Sequence, residues 1–132
     1  MPSLPLAEML SAGASCCRAL GLRAVLAVVD ERGVLAAYLR MDGAFFVSQD
    51  LAVDKAWTAA GFRSPTAEVS SLLTDAPDTV RDGVLKRPHV SLVPGGLPLL
   101  QSGNLLGGVG VSGGSAEQDL LVAQAMVGVI NA

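Results

Sequence analysis

Few side chains in this sequence could do chemistry, and the informative ones stand beside glycine or alanine. Lys55 lies in an alanine-rich stretch, with Leu51, Thr58 and Phe62 on its own face at helical spacing. A cation in such an apolar setting needs an opposite charge, and burial lowers its pKa. Lys55 could therefore hold an anionic ligand or act as an acid–base group. The structural alternative is an internal ion pair, to Asp30 or Asp42, or a stem that snorkels to water. Arg40 and Asp42 flank Met41 at the end of an apolar run, and Gly43 lets the chain turn away. The planar fork of Arg40 suits a carboxylate, while an Arg40–Asp42 pair would simply fix the corner. His89, the single histidine, follows Arg87-Pro88. It suits general acid–base work or axial iron ligation, against the plainer role of a surface hydrogen-bonding residue.

Two glycine clusters could approach a ligand with backbone alone. Gly95-Gly96 precedes Leu97-Pro98, and Ser112-Gly113-Gly114 leads into a helix-start pattern whose N–H groups and dipole suit a carboxylate or phosphate. Tight turns and close packing explain the same glycines without a ligand. No GxGxxG fingerprint or Walker pattern accompanies them, so no nucleotide is implied. Cys16 and Cys17 are adjacent, too close for an unstrained mutual disulfide, and read as reduced packing residues.

The elements that must position these groups follow from periodicity. Leu6, Leu10, Gly13, Cys17 and Leu20 mark a first helix closed by Gly21. Apolar runs at Ala24–Val29 and Val34–Arg40 enclose Asp30-Glu31-Arg32-Gly33, a β-hairpin that should be covered on both faces or by a neighbouring subunit. Ser48 caps a helix to Phe62 with a stripe of Ala52, Ala56, Ala59 and Ala60. Ser64-Pro65 opens another helix to about Leu73, and Thr74 to Arg87 reads as a loop or short irregular helix. A second hairpin joins Leu97–Leu100 to Leu105–Val111 through Gln101-Ser102-Gly103-Asn104. Ser115 with Gln118 forms a capping box for a last helix presenting Ala116, Leu120, Ala123, Val127 and Ile130. Hairpins with helices between them imply a single α/β (α+β) domain over 1–132, its sheet mostly antiparallel.

Composition narrows the function classes. A net charge of −3 with scattered Lys and Arg argues against nucleic acid. No apolar stretch approaches the ~18 residues of a membrane span. The start, Met1-Pro2-Ser3-Leu4-Pro5, lacks a basic n-region before an apolar h-region, which points to a cytoplasmic protein. Were Met1 removed, Pro2 would offer a secondary amine of the tautomerase kind, but that chemistry needs proline opening a strand, not preceding a helix. Half the residues are apolar and only 16% are charged, so some surface should be hidden between subunits.

Val28-Val29-Asp30 with Gly33 and Leu35, Arg40-Met41-Asp42-Gly43-Ala44, Ser48, Lys55-Ala56 and Thr58-Ala59 together resemble the first half of the HbpS/GlcG family of small haem-binding-like proteins. Gly95-Gly96-Leu97-Pro98, the run from Gly107 to Gly114, and Gln118-Asp119 resemble its second half. The same domain ends PduO-type adenosyltransferases. The resemblance implies a profilin-like fold with a mostly antiparallel five-stranded sheet, homo-oligomers that are often octamers, and for several members haem near a subunit interface. Some members use a histidine on the first helix as axial ligand, where this chain offers only Cys16 and Cys17.

Two functions follow from different classes. In the first, an oligomer holds haem, a related tetrapyrrole or another flat anion in an interface pocket. Its ligand contacts would come from Arg40, Asp42, Lys55, Gly95, Gly96, Ser112, Gly113 and Gly114. In the second, a cofactor-independent isomerase, lyase or hydrolase acts on a carboxylated metabolite, with Lys55 or His89 as acid–base group and Arg40 as anchor. A structural or regulatory role without a small ligand is the third. The ligand readings share one geometric expectation: Arg40, Lys55 and the turn at residues 112–115 meet in one positively biased concavity.

Overall fold

The structure, a computed structural model, describes residues 3–131; Met1, Pro2 and Ala132, and with them the reading of Pro2 and of the first two residues, lie outside that range. Nine elements follow in order: α1 (Leu6–Leu20), β1 (Val25–Asp30), β2 (Leu35–Arg40), α2 (Val47–Phe62), α3 (Thr66–Thr74), α4 (Asp78–Leu85), β3 (Gly96–Gln101), β4 (Asn104–Ser112) and α5 (Ala116–Asn131). The two hairpins join through their inner strands into one antiparallel sheet of order β2-β1-β4-β3. β1 and β4 pair from Val25 opposite Ser112 to Asp30 opposite Gly107. The first hairpin turns where the Asp30 carboxylate accepts hydrogen bonds from the N–H groups of Arg32 (2.8 Å) and Val34 (3.1 Å), and Gly33 takes φ 81°.

α1 and α5 lie together on one face of the sheet and α2 on the other. Met9, Cys17, Leu26, Val28, Leu99, Val109, Val111, Val122 and Met126 fill the first face. Each larger side chain there contributes roughly 1.5–3 kcal/mol by leaving water, so this side carries most of the apolar free energy. The second face works by proximity. Ala52, Ala56 and Ala60 of α2 meet Val25, Ala27 and Val29, and Gly108 and Gly110 of β4 leave no side chain between helix and strand. A Cβ at Gly110 would fall on the carbonyl oxygen of Ala52 and within 2.7 Å of the Ala56 nitrogen. The alanine stripe thus has a glycine-bearing strand as its counterpart.

Several local expectations change. Among the described residues the sheet has four strands, not five. Val90 to Pro94, the remaining apolar run, joins no ladder because side chains of α2 and α3 satisfy its backbone. Ser91 N–H donates to Thr58 Oγ1 (2.9 Å), and Thr66 Oγ1 donates to the Val93 carbonyl (2.8 Å). α2 starts at Val47 without a side-chain cap, and Ser48 is buried within it. Ser64 bonds the Phe62 carbonyl instead of capping α3, and of the two readings of Thr74 to Arg87, loop or short helix, the helix is present as α4. The capping box of α5 is present, with Ser115 N–H to Gln118 Oε1 at 3.0 Å and Gln118 N–H to Ser115 Oγ at 3.2 Å. Yet α5 buries Asp119, Val122, Ala123 and Met126, about one residue round from the apolar stripe expected. A paired carboxylate causes that rotation.

Candidate functional site

The carboxylate is Asp119, and its partner is Lys55. Their side chains are 5% and 1% exposed, and Nζ lies 3.1 Å from Asp119 Oδ2. Lys55 Nζ also donates to the Val111 carbonyl at 2.7 Å, while Asp119 Oδ1 accepts the Gly114 N–H at 2.8 Å. Loss of hydration lowers the Lys55 pKa, and the Asp119 charge and hydrogen bond partly oppose that shift. The pair therefore bolts α2 to the end of β4 and the start of α5. Its partner is neither Asp30 nor Asp42.

The glycine clusters serve this junction. Gly114 and Ser115 donate their N–H groups to Asp119 and Gln118, so the α5 start spends its anion-binding donors internally. Ser112 is buried, pairing with Val25 in the ladder, and Gly113 presses on Ala24. Gly95, at φ 120°, gives its carbonyl to the Val111 N–H at 3.0 Å. Gly96 donates to Thr66 Oγ1 at 3.1 Å and leaves no room for a Cβ beside the Lys55 carbonyl. Lys55, Gly95, Gly96 and the turn from Ser112 to Gly114 thus come together, but as a closed joint.

Arg40 stands elsewhere. It lines an open cleft of about 720 Å³ between the end of α1, the α1–β1 connection and the end of β2, together with Ala14, Arg18, Gly21, Leu22, Arg23, Leu39, Met41 and Asp42. The helix stops there because Gly21 adopts φ 70° and caps α1. Leu22 and Arg23 then cross to β1, and Gly43 (φ 86°) makes room for the Arg23 guanidinium, which a Cβ would meet at 2.6 Å. Arg23 Nη1 points at the Asp42 carbonyl, 3.4 Å away. No ion pair joins Arg40 to Asp42 within 4 Å among the described residues, so the Arg40 fork remains available. Three arginines and Asp42 line this cleft together with Leu22, Leu39 and Met41, Arg40 and Leu39 alternating across the edge strand opposite Val25 and Leu26. A lining of arginines and apolar side chains suits a flat body bearing carboxylates. The expected single concavity is therefore replaced by an arginine cleft and a sealed Lys55 joint.

Sequence reasoning missed Arg18 and Arg23. Arg18 is adjacent to the apolar Cys17 near the end of α1 and Arg23 two residues past its glycine cap, so both flank a helix terminus that the Gly21 signal had already located. It also missed Asp119, although that residue precedes Val122, Ala123 and Met126 at i+3, i+4 and i+7.

His89 lies outside both places. Its Nδ1 is 2.9 Å from Asp54 Oδ1, and its ring centroid is 5.7 Å from that of Trp57. The backbone there has φ 72°, held by Thr58 Oγ1 donating to the His89 carbonyl at 2.9 Å. Cys17 is fully buried, and burial pushes its thiol up to about 11, with Cys16 and Asp119 adding to the shift and Arg18 opposing it. Such a thiol is inert packing. No cluster of three His, Cys, Asp or Glu side chains fit to hold a metal occurs among the described residues, and none of their helices is long and apolar enough to cross a membrane.

Comparison with known proteins fits this architecture. Residues 6–128 match the model of the family described as haem degrading protein HbpS-like. The chain is 38% identical over 109 residues to the corrinoid adenosyltransferase PduO of Citrobacter freundii, covering 81% of this chain but 32% of that protein, about a third of its length. Two solved structures superpose closely: a PduOC:haem complex, with TM-score 0.89, 33% identity and coverage of 99% and 95% of the two chains, and HbpS, with TM-score 0.87, 31% identity and coverage of 98% and 89%. With a family match across nearly its whole length, on a shared α+β fold, the chain belongs to the HbpS-like family.

Proposed function

We propose that this protein binds a flat dianion of the tetrapyrrole class, haem included, in the arginine cleft, and that a neighbouring copy covers the open side of that cleft. The observation that carries the reading is a cleft of about 720 Å³ lined by Arg18, Arg23 and Arg40 together with the apolar Leu22, Leu39 and Met41. Two guanidinium forks can each grip a propionate while the ring lies on Leu22 and Leu39. The donor set fits the carboxylates of haem better than its iron, since Met41 is the one soft side chain in the lining. When bound, haem would supply a redox-active iron, while these residues hold and orient it. The haem complex of a relative that is 33% identical supports this ligand class.

The surface supports an oligomer. α2 covers β1, β3 and β4, whereas the edge strand β2 leaves Tyr38 exposed, and Phe45, Phe46 and Val47 at the start of α2 are 79%, 82% and 60% exposed. Exposed apolar side chains together with an open strand edge suit a second copy, and the octamer is the closed assembly proposed. Free Cys16 and Cys17 suit a reducing, cytoplasmic setting. Binding is preferred over acid–base catalysis at the cleft because Lys55 is sealed against Asp119 and His89 is not in the lining.

Parallel titrations with haem and metal-free protoporphyrin test the reading. Both should bind saturably, because the carboxylates supply the grip. Arg40→Ala or Arg23→Ala should each weaken binding about 10- to 100-fold, the worth of one charged hydrogen-bonded contact at ~1.5–3 kcal/mol. Absence of any Soret change with either compound, or binding indifferent to both substitutions, overturns it.

A further inference from the structure

A second pocket of about 480 Å³ lies between α2 and α4, away from the arginines, with Trp57, Phe62, Val80, Val84 and Val90 as its apolar wall and Arg87 at its edge. α4 buries none of its residues, so this side of the pocket rests on few contacts. His89 is not itself in the lining but stands between the lining residues Arg87 and Val90 in the chain, with its ring centroid 5.7 Å from that of Trp57, so it borders the pocket at that end. Asp54 fixes that ring. An ionised carboxylate only accepts, so Nδ1 must donate to Asp54 Oδ1 at 2.9 Å, and in the neutral imidazole Nε2 is left with a free lone pair. The backbone is held just as firmly, since Thr58 Oγ1 donates to the His89 carbonyl and accepts the Ser91 N–H, both at 2.9 Å. This keeps a non-glycine residue at φ 72°. Arg87 has no carboxylate within 4 Å among the described residues.

We propose that this pocket binds a small flat aromatic acid bearing a hydroxyl. The ring lies against Trp57 and Phe62, the carboxylate meets Arg87, and the hydroxyl donates to Nε2 of His89. An apolar wall, one unpaired guanidinium and one pre-oriented acceptor are the groups such a molecule requires, and the volume falls within the ~300–1,000 Å³ of small-molecule sites. The site is independent of the arginine cleft.

Trp57 and His89 are the only tryptophan and histidine in the chain, so each gives an unambiguous signal. Titration with 6-hydroxy-2-naphthoate near pH 8 should quench Trp57 fluorescence and shift the His89 imidazole resonances with one common, saturable midpoint. Arg87→Ala should raise that midpoint about tenfold or more. His89→Ala should raise it severalfold for 6-hydroxy-2-naphthoate but leave 2-naphthoate, which lacks the hydroxyl, unchanged. Arg40→Ala should change neither. Both signals remaining flat, as they would if another copy of the chain fills the pocket, overturns the proposal. So does a midpoint insensitive to Arg87→Ala and His89→Ala, or one that moves only with Arg40→Ala.

Discussion

Replacing Lys55 with Met tests what bolts α2 to the end of β4 and the start of α5. The substitution keeps most of the side-chain volume but leaves Asp119, 5% exposed, with the Gly114 N–H as its remaining hydrogen-bond partner. Removing one member of a buried pair costs about 3–5 kcal/mol, because the other charge stays desolvated. In a domain of this size each kcal/mol lowers Tm by roughly 3–4 °C, so Lys55→Met should melt roughly 9–20 °C early in a calorimetric or circular-dichroism scan. The double variant Lys55→Met with Asp119→Leu should recover much of the loss, since an apolar pair of similar bulk needs no counter-ion. A loss below about 1 kcal/mol for the single variant, or a double variant as unstable as the sum of both singles, refutes the reasoning. The pH dependence adds a second check. Burial lowers the Lys55 pKa from 10.5, so in the window between the lowered value and 10.5 the unfolded chain holds a proton that the folded chain lacks. Stability from this site therefore rises with pH through that window. The margin of the native protein over Lys55→Met should widen there, and a narrowing margin would contradict the lowered pKa.

Four further outcomes are expected. Gly110→Ala should prevent folding or cost more than ~3 kcal/mol, because its Cβ overlaps the Ala52 carbonyl; soluble expression and urea melts would show this. Cys17, whose thiol titrates at about 11 instead of 9.0, should be silent to a disulfide reagent at pH 8 until the protein is denatured, leaving at most Cys16 reactive. Between pH 9.0 and about 11 the folded state keeps the Cys17 proton that the unfolded chain loses, so the native protein should lose stability with rising pH relative to Cys17→Ala. Phe46→Ser, at a position 82% exposed, should leave the monomer's melting almost unchanged while shifting the light-scattering mass to smaller species; an unchanged mass would exclude this patch from the interface.

Periodicity and turn chemistry located the helices and hairpins because those signals are local. Gly21 and the Ser115–Gln118 box each act within a few residues, and their geometry is as expected. Apart from the caps expected at Ser48 and Ser64, what failed was non-local. The face of α5 is set by a carboxylate that only Lys55, 64 positions earlier, makes affordable to bury. Val90 to Pro94 avoids the sheet because hydroxyls of Thr58 and Thr66 reach its backbone from other helices. Arg40 was visible as a cation before a glycine, but its companions Arg18 and Arg23 join it only when the end of α1 folds back over β2. The Asp54–His89 pair spans 35 residues and leaves no spacing signature.

The direct seating of α2 on β4 has a consequence for how this domain can diversify. Small molecules are usually accommodated by trading large interior side chains for small ones, which hollows out a chamber. Between Ala52, Ala56 and Ala60 and the facing glycines nothing remains to remove. Enlarging any of these residues would instead prise the helix from the sheet, dislodging Lys55 on the same helix. New specificities are thereby confined to the rim of the sheet, at the outer strand and the loops, where chain can be lengthened or recoloured without touching that contact.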